Sequence, residues 1–307
     1  MANRKHKGRD VSGWLCLDKR IGQTSTAAVA AVKRLFDAQK AGHAGTLDPL
    51  ASGALPVALG EATKTVPYVQ DGRKIYRFTV RWGVETDSDD ADGKAVATSD
   101  ARPERDAIAA ALPEFIGEIM QRPPAFSALK IEGERAYDLA REGAEVVLAE
   151  RPVSIHRLAL ADTLDRDHAV FDAECGKGTY VRALARDIGR RLGSLGHVAA
   201  LRRLAVGPFD EETFVTLDEL IAAREEGSVV TLDRFLKPAG FGLRDLLEVA
   251  FTSVDAARLR RGQSVLLRGR DAPILTGIAH ATHHGESIAI GEIEKGEFHP
   301  TRVFRAG

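Results

Sequence analysis

The sequence is poor in the features that mark several whole classes of protein. It has only two cysteines, Cys16 and Cys175, far apart and without a Cys-x-x-Cys partner. That excludes a disulfide framework. Both lie in apolar, strand-like stretches, GWLCL and VFDAEC, so both are expected to be buried thiols and the compartment to be the cytoplasm. No apolar run approaches the roughly 20 residues of a membrane-spanning helix. The opening MANRKHKGRDVSG is charged with no apolar core behind it, so it does not read as a secretory signal. Its basic residues Arg4, Lys5, Lys7 and Arg9 are expected to lie in a flexible tail over residues 1–10. Internal repeats and low-complexity tracts are missing. So are the metal motif HExxH and the nucleophile motif GxSxG. GKGTY comes near a phosphate-binding P-loop, but Gly178 follows Lys177, and Phe171 stands where that loop needs a glycine. His283 and His284 have no evident ligand partners, so metal catalysis is unsupported. An acidic stretch, ETDSDDADG (85–93), fails the calcium-loop spacing because its twelfth position is Ser99 rather than glutamate, and it is expected to be a solvated loop.

An excess of charge of one sign is also lacking overall. The formal net charge is −1, which by itself does not favour a nucleic-acid partner. Locally the balance differs. Between Lys177 and Val206 stand Lys177, Arg182, Arg186, Arg190, Arg191, Arg202 and Arg203, with Asp187 as the only acid. Such a patch suits a phosphate backbone, and equally a solvated helix face.

The chain does have a globular composition, 44% hydrophobic and 28% charged over 307 residues, enough for one large domain and a small one. GWLCLDK reads as a strand, followed by an alanine-rich helix capped by Thr24 or Ser25. GEATKTVPYVQDG reads as a short helix interrupted near Pro67. KIYRFTVRWG alternates: Tyr76, Phe78, Val80 and Trp82 on one side, Arg77, Thr79 and Arg81 on the other, as in a half-buried antiparallel strand. PERDAIAAALPEFIG and GERAYDLAREG read as helices. RPVSIHRLALADTL and HAVFDAECG read as a hairpin around DRD. GTYVRALARDIGRRLG is a strong helix with Val181, Leu184, Ile188 and Leu192 on one face, ended by Gly193. TLDELIAAREEG and SVDAARLRRG are helical. After about residue 245 the texture turns to short strands with glycine turns, joined through FLKPAGFGL. The order lacks a βαβ rhythm, so the expected class is α+β, with a mixed, largely antiparallel central sheet flanked by helices and a small C-terminal β-rich domain.

Residues 42–53, GHAGTLDPLASG, put one acid, Asp48, in a loop shaped by Gly42, Gly45, Gly53 and Pro49. Asp followed by Pro also makes a good cap for a helical turn. That reading leaves the flanking glycines, His43 and the absence of other charge unexplained. AGHAGTLDPLASGALPVALGEATK resembles the catalytic motif of the TruB family of tRNA pseudouridine-55 synthases. LDKRIGQTS resembles that family's first motif, and KIYRFTVRWGVETDSDDADG its tyrosine-bearing strand. QRPPAFSALKIEGERAYDLAREG resembles its proline-rich segment and mobile thumb (about 122–150). CGKGTYVRALARDIGRRLG and GHVAALRRLAVGPF resemble its arginine motif and leucine strand. These segments run in the family's order over roughly residues 12–220. Arg20 departs from the proline usual after the first-motif lysine, and Phe126 from a common tyrosine before SALK.

The resemblance implies the pseudouridine synthase fold over residues 11–240 and a PUA-like RNA-binding domain over 245–307. It implies isomerisation of a T-loop uridine of tRNA, with no cofactor, no membrane and a monomeric enzyme. Asp48 would be the essential carboxylate. A desolvated carboxylate needs a nearby cation to stay ionised, and the resemblance puts Arg182 there; a plain phosphate contact is the alternative. The target base must be flipped out of its stack. Tyr76 would stack on it or exchange a proton, although a core aromatic beside Phe78 fits the pattern as well. Tyr180 and Leu201 would wall the uracil pocket, and His43 would occupy the space the base vacates. Lys19 and Lys130 match basic positions that serve structure or the RNA backbone. Two rival readings compete: a non-catalytic RNA-binding protein using the same surface, and a hydrolase with an aspartate nucleophile, which lacks a second acid–base constellation.

Overall fold

In a computed structural model, the protein is described over residues 8–127, 129–131, 134–135, 148–267 and 275–305. The strands in chain order are β1 (Gly13–Lys19), β2 (Ala41–His43), β3 (Ser52–Leu59), β4 (Lys74–Trp82), β5 (Val84–Thr86), β6 (Ala95–Thr98), β7 (Gly117–Gln121), β8 (Lys130–Ile131), β9 (Glu134–Arg135), β10 (Arg151–Thr163), β11 (His168–Cys175), β12 (Gly196–Val206), β13 (Phe214–Val215), β14 (Leu247–Ala250), β15 (Val265–Leu266), β16 (Gly277–His283), β17 (Glu286–Glu294) and β18 (Glu297–Val303). The α-helices are α1 (Ser25–Leu35), α2 (Val66–Asp71), α3 (Arg105–Ala111), α4 (Val181–Arg191), α5 (Leu217–Glu226) and α6 (Ser253–Leu259).

The central sheet runs β13-β1-β3-β12-β4-β11-β10-β7, with β2 on β3. The pairs β1–β13 and β3–β12 are parallel and the others antiparallel, which is the mixed sheet expected. The alternation in β4 is realised: Tyr76, Phe78, Val80 and Trp82 are buried while Arg77 and Arg81 face solvent. Their packing partners are Phe171 of β11, Leu201 of β12 and the apolar face of α4. Thr24 caps α1 by accepting from the Ala27 amide, and Gly193, in the left-handed region at φ +68°, follows the end of α4. Gly189 is fixed by a different constraint. A Cβ there would come within 2.7 Å of the Gly196 nitrogen, so only glycine lets α4 lie this close to β12.

Pro67 stands in the first turn of α2, after a separate 3-10 turn at Gly60–Lys64. The thiols of Cys16 and Cys175 are free and buried, pushed up by burial to about 12 and about 11, so neither is a reactive thiolate. Arg9 is a correction to the expected tail. It pairs with Asp233 at 2.6 Å and donates to the Val229 carbonyl, so the chain is already docked there; residues 1–7 lie outside the described residues. The helix expected over GERAYDLAREG falls mostly outside them too, and its residues Glu134–Arg135 form β9. A second sheet, β14-β16-β17-β18-β15, forms the C-terminal unit with α6 against it. Among the described residues no helix is long and apolar enough to cross a membrane.

Candidate active site

The site lies over the middle of the sheet, where β3, β12, β4 and β11 are neighbours. Asp48 sits between β2 and β3, in a turn that Ala51 closes by donating its amide to the Asp48 carbonyl (3.0 Å). Pro49 suits the second position of such a turn because its φ is preset. Two anchors hold the loop from below. Ser25, at the start of α1, accepts from the Leu47 amide (2.8 Å) and donates to the Leu47 carbonyl (2.9 Å). Arg203, almost fully buried on β12, donates to the carbonyls of Gly45 (3.0 Å), Thr46 (3.3 Å) and Ala54 (2.7 Å). Gly53 is at φ +98°, and a Cβ there would fall 2.1 Å from the Arg203 carbonyl oxygen, so the loop can meet β12 only through glycine.

The Asp48 carboxylate turns into a cavity of about 570 Å³ rather than capping its own turn. Its Oδ2 is 2.9 Å from Nε of Arg182, in the first turn of α4. The Nε–H is not aligned for a hydrogen bond, so the contact is an ion pair held by position rather than by direction. Arg182 is 5% exposed and Asp48 37%, so the cation is buried and the carboxylate keeps an open side. Arg182 is anchored elsewhere. Its Nη1 donates to the Ser88 carbonyl and its Nη2 to the Phe126 carbonyl, both at 2.9 Å, and Asp90 lies 3.6 Å from Nε. The Phe126 departure therefore leaves this backbone contact intact. Arg20, the other departure, pairs with Asp218 on the surface.

The same cavity is lined by Tyr76, Tyr180 and Leu201. Tyr76 is 9% exposed on β4, opposite Arg203 in register. Burial raises its phenol above the ordinary value against the opposing pull of Arg203, so it is a neutral O–H donor and flat face, not a ready base. The Tyr180 backbone is clamped by Gln121, whose Oε1 accepts from the Tyr180 amide (2.9 Å) and whose Nε2 donates to its carbonyl (3.2 Å).

Asp48, Tyr76, Tyr180, Arg182 and Leu201 are thus brought together, and other expected residues are not. Lys19 is fully buried, donates to the carbonyls of Arg20 and Gln23 at 2.8 Å, and is pushed down to about 8 by burial. It shapes the turn behind the loop. His43 is half-buried on β2, outside the cavity wall, and burial lowers its pKa first, so it is neutral at pH 7. The backbone of Lys130 lies in β8, and its side chain is outside the described residues.

One expectation fails and another resolves between its alternatives. The acidic stretch is not a solvated loop: Ser88, Asp89 and Asp90 are each under 8% exposed. The basic patch is paired with acids, and its exposed members Arg190 and Arg191 lie on a solvated helix face, the second of its two readings. Arg186 meets Asp89 at 2.8 Å, Arg190 meets Glu85 at 2.7 Å, Arg191 meets Glu114 at 2.5 Å and Arg202 meets Asp18 at 3.0 Å. Segments distant in sequence neutralise each other; for the buried Arg186–Asp89 pair the reason is that burying a charge without its partner is costly, whereas Arg190 and Arg191 stay about half exposed. Reading each run by itself could not reveal this. Arg203, the loop's main clamp, was visible only as one more base in the run.

The profile of a TruB family pseudouridylate synthase N-terminal domain matches residues 33–181, and that of the tRNA pseudouridylate synthase B C-terminal domain matches residues 182–244. A protein named tRNA pseudouridine synthase B from Bradyrhizobium diazoefficiens is 60% identical over 301 residues, spanning 96% of this chain and 86% of that protein. One of the same name from Rhizobium meliloti is 57% identical over 98% of each. Among solved structures, a chain of a Cbf5-Nop10-Gar1 complex superposes with a TM-score of 0.73 at 27% identity, covering 95% of this chain and 84% of that one. The match runs without a break through the carboxylate loop, the arginine helix and the strands beneath them, and the chain belongs to the TruB family of pseudouridylate synthases.

Proposed function

We propose that this enzyme isomerises uridine to pseudouridine at position 55, in the T-loop of tRNA, with Asp48 as the essential carboxylate acting on a flipped-out uridine. The observation that carries the reading is the Asp48–Arg182 contact at 2.9 Å on the wall of a cavity that Tyr76, Tyr180 and Leu201 also line. The close relatives named tRNA pseudouridine synthase B support tRNA as the substrate. In the reaction the C1′–N1 bond breaks, the uracil turns, C5 joins C1′, and the proton lost from C5 is balanced by one gained at N1. Nothing is oxidised and no group leaves, so the chemistry needs no cofactor. The anchored Arg182 holds the carboxylate toward the sugar edge, and Tyr76 offers a face and a neutral O–H to the base. Residues 11–240 act as the catalytic domain. Residues 245–307 act as a PUA-like module extending the footprint from the T-arm toward the acceptor stem. The enzyme works as a cytoplasmic monomer.

The test is a pseudouridine assay on unmodified tRNA comparing the parent with Asp48→Asn. The expected outcome is conversion of one T-loop uridine by the parent, and tRNA binding within about threefold but no detectable conversion by the variant. If both bind and neither converts, the chain is an RNA-binding protein and the catalytic reading is lost.

A further inference from the structure

We propose that Arg151 binds a backbone phosphate of the flipped nucleotide at the rim of the cavity, a subsite for substrate positioning that rests on the function proposed above. The argument starts from the cations lining the cavity. Lys74 is buried and donates to the carbonyls of Gln70 and Gly72. Arg182 faces Asp48 and Asp90, and Arg203 is spent on loop carbonyls. Lys177 pairs with Asp71 at 3.2 Å. Among the described residues that line the cavity, Arg151 alone carries a positive charge with neither a carboxylate within ion-pair distance nor a set of carbonyls that consumes its donors.

Its placement is defined. Nη2 donates to the Gly178 carbonyl at 2.9 Å, and the guanidinium lies over the Tyr180 ring, 5.3 Å from its centroid. The backbone of that tyrosine is in turn fixed by Gln121. The Nε–H is buried away from the opening, so the donors left for an arriving anion are those of Nη1 and the second N–H of Nη2. A base stacked in the cavity with its sugar at Asp48 leaves its phosphates at the entrance. A planar guanidinium held against an aromatic face presents its remaining donors as a fork suited to a phosphate.

The experiment measures tRNA affinity as a function of salt for the full chain and its Arg151→Ala and Arg151→Lys variants, using unmodified tRNA, with conversion by the parent recorded alongside. One lost phosphate contact reduces the slope of log affinity against log salt by about 0.7 to 0.9. The expected result is that loss in Arg151→Ala and the parent slope in Arg151→Lys, which keeps the charge. A parental slope in Arg151→Ala overturns the proposal. So does a reduced slope in Arg151→Lys, which would mark a packing defect rather than a phosphate contact. If the parent itself converts no uridine, the failure belongs to the proposed function and not to Arg151.

Discussion

Arg203 shows how one side chain sets the geometry of a loop it does not belong to. It reaches from β12 to carbonyls on both sides of Asp48, and almost none of it is exposed. Replacing it with methionine keeps much of the volume but removes this donor from the buried carbonyl of Ala54 and the part-buried carbonyls of Gly45 and Thr46. A buried orphaned carbonyl costs about 1–3 kcal/mol and a part-buried one less, so Arg203→Met should lose on the order of 2 kcal/mol in denaturant unfolding. Its conversion rate at saturating tRNA should fall at least tenfold, because Asp48 rides on that loop. A variant with parental stability and rate would show that Ser25 and the turn suffice. The placement of Asp48 in a shaped loop was legible because a lone acid among glycines is conspicuous. That of Arg203 was not, because an arginine in a basic run looks the same whether it faces phosphate or carbonyl.

The acidic segment after β4 and helix α4 behave as one unit. Asp89 meets Arg186 and Asp90 approaches Arg182, one helical turn earlier, while Arg186 and Arg182 also bind the carbonyls of Arg122 and Phe126. Burial is the largest influence on Asp89 and raises its carboxyl to about 6 against the opposing pull of Arg186 and Arg182. The folded state therefore holds this proton more tightly than the unfolded chain. Between pH 3.8 and about 6, this group makes stability fall as pH rises. Asp89→Asn should remove that component, changing the parent–variant stability difference by on the order of 1–3 kcal/mol across the window. Urea unfolding at pH 4, 5, 6 and 7 reads it, and an unchanged pH slope in the variant would assign the titration to another group.

At the scale of the whole molecule, the C-terminal sheet is tied back to the turn after β3. Glu61 accepts from Lys64 at 2.6 Å and from the Arg305 amide at 2.8 Å, Lys64 donates to the Val303 carbonyl, and Phe304 is buried against Leu243 and Ile290. Burial pushes the Glu61 carboxyl up, and its hydrogen bonds to Lys64 and Arg305 outweigh this and hold it below the usual range. A depressed carboxylate contributes stability above its unfolded value of 4.5 that is lost as pH falls through the folded value. Glu61→Gln should therefore cost about 1 kcal/mol or less at pH 7 and nothing at low pH. Hydrogen exchange along β18 should speed up in the variant at neutral pH while exchange in β4 stays unchanged.

What the sequence determined by itself was local or patterned. The alternation of β4, the amphipathic face of α4, the caps, the hairpin of β10 and β11, and the glycine-shaped loop around Asp48 all rest on spacings of a few residues. Spacing survives in any fold that buries those faces. What only the tertiary structure decided was which charges face each other. The acidic run and the basic run each looked solvated or RNA-facing because their signs were read separately. Folding brings Asp89 to Arg186 and Asp90 to Arg182 across about a hundred residues of chain, since a buried charge is costly unless it is paired or its donors are taken up by carbonyls. The same closure decided that Lys19 is a buried brace, that Arg203 is the clamp of the Asp48 loop, and that Arg151 is left facing the cavity rim.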